Sequence, residues 1–311
     1  MTPNFVVIGA QRCGTTALYL ALKQHPQIFM SPLKEPRFFA FADQPADFIG
    51  PGAKAFQREI VSSWLDYQAL FAGAPDQCCG EASPVYLSSL RSASSAAVMA
   101  QRTPELRIIA LLRQPADRAY SAFWHHRRLG IEPLTDFRRA LAAEVERSAA
   151  GWLPGFGYRA NGMYAANLHP FLDHFPRSHI RIYLYETWRR NPVTVLHDML
   201  EFLEVGVDLL PVVAPGINRS IAPRSHLLAG WLEQPNHVIY WGTRLFPGSI
   251  RGILGRWARR WNAKTPPPMA VDVRAELTAS FRDDILQLQD MIDCDLSHWL
   301  VGCAEGKNVA T

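Results

Sequence analysis

The sequence has no apolar run of 18 residues, so nothing in it reads as a membrane-spanning helix. It also has no C-x-x-C pair. Its five cysteines (Cys13, Cys78, Cys79, Cys294, Cys303) are odd in number and spaced for neither a disulfide framework nor a zinc site, which fits a reducing compartment. Internal repeats and low-complexity tracts are absent. The charge excess is small, +4 over 311 residues. That is too little to argue for nucleic acid, although it suits an anionic small ligand. The first strand begins within three residues of Met1, which leaves no room for a leader and makes the cytoplasm the default location. What remains is 48% hydrophobic and 19% charged, the composition of a globular protein long enough to bury a sizeable core.

The most informative stretch comes first. Phe5-Val6-Val7-Ile8 reads as a buried parallel strand, Gly9 to Gly14 as a turn, and the residues from Thr15 as a helix. The spacing Gly9-x4-Gly14-Thr15-Thr16 suits a loop that cradles a phosphate with the N–H groups of a helix start. A nucleoside-triphosphate loop would carry Lys directly after the second glycine, but Thr15 stands there. The cation is Arg12, inside the loop, where a guanidinium can reach an oxygen next to the phosphate.

Further along, Pro36 keeps Glu35 out of helical backbone geometry, on an extended or turn segment near the loop mouth, and makes it the first acid/base candidate. Residues 54 to 72 show helical apolar spacing, and 88 to 101 a surface-facing helix. Leu106 to Leu112 reads as a second buried strand. Arg113 lies at its carboxyl edge, Pro115 in the first turn of the next helix, and Ser121 two turns in. Ligands of open parallel sheets bind at that edge, so Arg113 and the 9–16 loop should share it. A charged helix follows over 135 to 149 and a Gly/aromatic loop of the kind that borders clefts over 151 to 162. The helix at 163 to 175, the strand Ile180 to Leu184 and a helix ending at Leu203 continue the α/β alternation. Arg219 and Arg224 sit in a polar loop that suits closing over an anionic cofactor and equally suits a solvated linker. Residues 226 to 264 are basic and Trp-rich; packing of that face on the domain is the simpler reading, contact with a membrane surface or an acidic acceptor the other. A closing helix spans about 272 to 293.

Taken together, these segments resemble the sulfotransferases that use 3′-phosphoadenosine 5′-phosphosulfate (PAPS), in the branch similar to heparan sulfate N- and 3-O-sulfotransferases. Gly9 to Tyr19 resembles the 5′-phosphosulfate loop of that family, Arg113 to Ser121 its 3′-phosphate motif, and Lys34 to Phe39 the segment with its catalytic Glu. Ser83 to Tyr86 and Gly162 to Tyr164 are similar to later blocks, and Asp295 to Leu300 is a weaker echo. One departure is Arg12, where the glycosaminoglycan enzymes usually have Lys; Arg keeps the charge but not the geometry.

The resemblance implies an α/β, P-loop-like three-layer fold whose central, mostly parallel sheet is flanked by helices. Residues 1–311 would form one domain, with a core over 4–205 and an extension over 206–311. It implies PAPS as donor, PAP as product and no metal. Glu35 and Arg12 would be catalytic, and Arg12, Cys13, Gly14, Thr15, Thr16, Arg113 and Ser121 would bind the cofactor, with Arg219 and Arg224 as candidates for closing over it. The acceptor would be a carbohydrate, a lipid-linked molecule or a small molecule. A P-loop kinase and a non-catalytic nucleotide-binding adaptor are the competing readings.

Overall fold

The computed structural model describes residues 1–42, 46–74, 78–209, 211, 222–225 and 261–301. Its centre is a five-stranded sheet in the order β2-β3-β1-β4-β5: β1 (Phe5–Gly9), β2 (Ile28–Met30), β3 (Cys78–Ala82), β4 (Arg107–Leu112) and β5 (Ile180–Leu184). Every pairing within it is parallel. The short β-branched runs predict this outcome, because a parallel strand covered by helices on both faces must be apolar on both. Phe5, Val6, Val7 and Ile8 are all fully buried. Gly80 is dictated by the register: it pairs with Phe5, and a Cβ there would lie 2.3 Å from the Phe5 ring.

The carboxyl ends of these parallel strands form one rim, so residues distant in sequence meet there. β1 feeds the loop that opens helix α1 (Thr15–Leu22), and β2 feeds the segment bearing Glu35. β3 ends at Glu81-Ala82, and β4 ends against Arg113. The helix Pro115–Arg128 follows β4. Its cap is Gln114, whose side-chain oxygen accepts the Asp117 N–H at 2.8 Å, and Pro115 needs no partner for a missing donor.

Several sequence expectations change in detail. The single helix expected over 54 to 72 is two, Ala53–Arg58 and Trp64–Ala69. The Val61 N–H leaves the helical ladder to bond Pro36 O at 3.0 Å, and Ser63 then caps a new start by accepting from Asp66 N–H. The helix Ser92–Arg102 is not simply surface-facing: Ser95, Ala96 and Met99 are fully buried. The charged helix over 135 to 149 divides into Phe137–Ala142 and Glu144–Ala149, and the closing helix into Val271–Ser280 and Arg282–Ile292. Between β5 and the helix Pro192–Phe202 stands a further short helix, Tyr185–Arg190. Phe281, Ile285, Leu288 and Trp299 join the same apolar core as β1 and β4. Arg219 and most of 226–264 lie outside the described residues.

Candidate functional site

Gly14 caps α1 with φ of 97°, a conformation that favours glycine, and no side chain caps this helix start. The first N–H groups of α1 are therefore available to an anion. Thr15 is buried and Thr16 exposed at this end. Cys13 is engaged within the protein: its N–H donates to Ala10 O at 3.2 Å, its thiol lies 3.8 Å from Tyr164 Oη, and burial raises the thiol to about 11.

Arg12 stands in left-handed geometry, φ 71°, and so turns out of the loop. Its Nε donates to Ser121 Oγ at 3.1 Å, joining residues 109 apart in the chain, and one terminal nitrogen lies 3.4 Å from His125 Nδ1. Burial, then Arg128 and Arg113, hold the Arg12 guanidinium down to about 10. An arginine keeps its proton at working pH, so the shift reports the cost of burying this charge, to which two nearby cations add; an anion here would offset it. Arg113 stacks its guanidinium 5.0 Å over the Tyr185 ring, and its backbone oxygen accepts from Tyr164 Oη at 2.9 Å. The structure thus brings Arg12, Arg113, Ser121 and the α1 start together, as the sequence pattern expects. Arg224 is exposed; its N–H donates to Asn262 O at 2.7 Å and its guanidinium lies 5.8 Å from the Trp261 ring.

Glu35 adopts φ 63°, a left-handed turn rather than an extended segment. Lys34 Nζ lies 2.5 Å from one carboxylate oxygen and Arg37 3.3 Å from the other. Burial pushes this carboxylate up, but Lys34 and Arg37 outweigh it, and the net direction is down. Glu35 is therefore ionised at neutral pH and, with 31% of its side chain exposed, open to a substrate.

Sequence patterns missed four further groups, His125, Arg128, His126 and Glu81. His125 Nδ1 faces guanidinium donors from Arg12 and, at 3.3 Å, from Arg128. Nδ1 must therefore accept, which makes the ring neutral with its proton on Nε2. Burial, followed by Arg12, drives His125 well below its usual range. His126 bonds Tyr158 Oη at 3.0 Å; that hydroxyl donates to Glu132 at 2.7 Å, and Arg147 grips Glu132 through both carboxylate oxygens. The helical spacing Ser121, His125, Arg128 was the available signal: i, i+4 and i+7 share one helix face.

The fourth group is Glu81, fully buried at the end of β3. It accepts from Tyr86 at 2.6 Å, Ser83 at 2.8 Å and Tyr67 at 3.4 Å. Burial raises its carboxyl to about 7 despite these donors, and Glu35 adds to the rise. Ser83 Oγ also accepts the Arg37 N–H at 3.1 Å, so the buried carboxyl supports the turn that carries Glu35.

A cavity of about 260 Å³ opens onto Arg12, Thr15, Thr16, Glu35, His125 and His126. Among the described residues, no cluster of His, Cys, Asp and Glu is placed to hold a metal ion. An uncapped helix start, two guanidiniums and a serine hydroxyl fit a ligand with phosphate at two places, and the ionised Glu35 fits an acceptor that must lose a proton.

Known proteins point the same way. A family model described as the sulfotransferase family matches residues 3–208. The human bifunctional heparan sulfate N-deacetylase/N-sulfotransferase 3 is 27% identical over 296 residues, covering 93% of this chain and 30% of the relative. The Drosophila melanogaster bifunctional heparan sulfate N-deacetylase/N-sulfotransferase is 27% identical over 216 residues, 65% of this chain and 20% of the relative. The chain thus spans less than a third of the length of these curated relatives. A crystal structure of a sulfotransferase from Alicyclobacillus acidocaldarius aligns with TM-score 0.76 and 32% identity, over 96% of this chain and 99% of that one.

Proposed function

The chain belongs to the sulfotransferase family, and from that membership we propose that it moves a sulfuryl group from PAPS to a hydroxyl or amine of a carbohydrate, lipid-linked or small-molecule acceptor. The contact between Arg12 and Ser121 carries this reading, because it joins the loop that resembles a 5′-phosphosulfate loop to the stretch that resembles a 3′-phosphate motif. PAPS supplies a sulfuryl group joined to its 5′-phosphate through one bridging oxygen. Arg113 and Ser121 hold the 3′-phosphate, the feature that separates this donor from ATP. Gly14, Thr15 and Thr16 offer backbone N–H groups to the 5′ end, and Arg12 adds a guanidinium where charge develops on the leaving oxygen. Glu35 takes the acceptor proton, directly or through one water. Lys34 and Arg37 keep Glu35 ionised and ready, and His125 fixes the Arg12 guanidinium from the other side. No metal is invoked, since these fixed donors supply the stabilisation. Arg224 is a further candidate for closing over the donor.

Titration with adenosine 3′,5′-bisphosphate (PAP) and with AMP tests the donor site. A preference of tenfold or more for the bisphosphate is expected, and equal affinities would refute the assignment. Labelled sulfuryl donor, screened against glycan, lipid and phenolic acceptors, tests the transfer itself.

A further inference from the structure

The cavity lining is divided: Phe56, Val85, Leu87, Leu129, Ile131 and Leu153 supply apolar walls, while Gln11, Thr16, Ser88, Asn161 and two histidines join Arg12, Thr15, Arg37 and Glu35 as its polar part. At about 260 Å³ it falls below the range of about 300–1,000 Å³ typical of drug-sized sites. Among the described residues, the cations that line it are Arg12 and Arg37. Arg37 is committed to Glu35 at 3.3 Å and to Glu59 at 3.2 Å, with its guanidinium 4.1 Å over the Phe56 ring. The two lining histidines are neutral: burial lowers both, and His126 falls to about 3. Gly155 sets the width, since a Cβ there would lie 3.1 Å from His126 Nε2 and 3.4 Å from Gln11 Nε2. Gln11 also lines the cavity, and its Oε1 is buried without a hydrogen-bond partner.

We propose, building on the sulfotransferase reading above, that this cavity is the acceptor chamber and that it takes a neutral alcohol whose hydroxyl is carried on a compact apolar group, aryl or alkyl, rather than a polyanionic glycan. Apolar walls favour an occupant that leaves water, whereas a carboxylate or sulfate would be desolvated beside cations already engaged. In the transfer, the alcohol oxygen bonds to sulfur as the bridging S–O bond of PAPS breaks. The electron pair of that bond leaves on the 5′-phosphate, and the O–H proton passes to the Glu35 carboxylate.

The test is binding to protein already loaded with PAP, using 2-naphthol, 1-hexanol and a heparan tetrasaccharide. At least one alcohol should bind tenfold or more tighter than the tetrasaccharide, and the two alcohols distinguish an aryl from an alkyl preference. Ile131→Glu, at a half-buried wall position, should weaken alcohol binding tenfold or more with PAP affinity unchanged. Gly155→Ala adds one methyl group and should weaken 2-naphthol more than 1-hexanol. A tetrasaccharide that outcompetes both alcohols, or alcohol binding untouched by both substitutions, overturns the chamber and leaves the donor site standing. Failure of PAP itself to bind overturns the sulfotransferase reading and the chamber with it.

Discussion

Replacing Glu81 with Gln should remove a pH dependence of stability, because the wild-type carboxyl is raised from 4.5 to about 7 in the fold. A carboxyl raised on folding favours the native state while it stays protonated. That contribution is complete below the unfolded value and is lost as pH climbs through the folded one. For these two values, linkage gives a loss of about 2.5 kcal/mol between pH 5 and pH 8. Gln cannot ionise. Its amide can accept two of the three hydroxyl bonds but presents N–H to the third, a mismatch of about 1 kcal/mol that does not vary with pH. Unfolding in urea across this pH range, with the wild type alongside, cancels every other titrating group. The variant should be weaker or equal at pH 5 and should gain about 2.5 kcal/mol on the wild type by pH 8. A difference that stays constant with pH would show that the Glu81 carboxyl is not raised by burial and would refute this assignment. Because Ser83 links Glu81 to the Arg37 turn, Glu81→Ala should in addition lower turnover more than PAP affinity.

Glu35→Ala should cost about 10²–10⁴ in turnover with PAP affinity retained, as removal of a general base does, whereas Arg113→Ala should mainly weaken PAP; equal loss of binding in both would contradict the division of roles. Because Lys34 and Arg37 hold Glu35 below the usual carboxylate range, wild-type turnover should be lost only as pH falls through and below that range, and Lys34→Met should move the acid limb upward in a pH–rate profile. Arg12→Lys keeps charge but cannot reach Ser121 and His125 from one compact head; about a tenfold fall in kcat is expected, and an unchanged rate would show that the fork is dispensable. Gly14→Ala, at φ 97° and with its Cβ 3.3 Å from both Tyr185 and Trp188, should cost about 1–2 kcal/mol in urea unfolding and weaken PAP.

Much of the site was legible because it follows strand ends. A β-branched run followed by Gly9-x4-Gly14 marks a strand and its exit loop, and Arg113 directly follows a second such run; parallel pairing of β1 with β4 does the rest. Side-chain couplings across elements were not legible. Glu81 draws donors from Tyr67 and Tyr86, and only the packing of Phe38 on Tyr67, with rings 4.7 Å apart, and of Phe39 on Tyr86 puts those hydroxyls in reach. The break between Ala53–Arg58 and Trp64–Ala69 was hidden for a similar reason. Apolar spacing continues through it, while the bond from Val61 to a distant carbonyl and the Ser63 cap end one helix and begin another.

The bridge from Arg12 to Ser121 joins the exits of β1 and β4, neighbours in the sheet though far apart in the chain. Neither anchor can be in position until β4 has zipped onto β1, although all of α1 and its loop are made long before that point in the chain. Nucleotide capture during synthesis or refolding is therefore a late event. A fragment stopping short of Ser121 would own the loop but not the grip, and supplying the missing piece in trans should restore it.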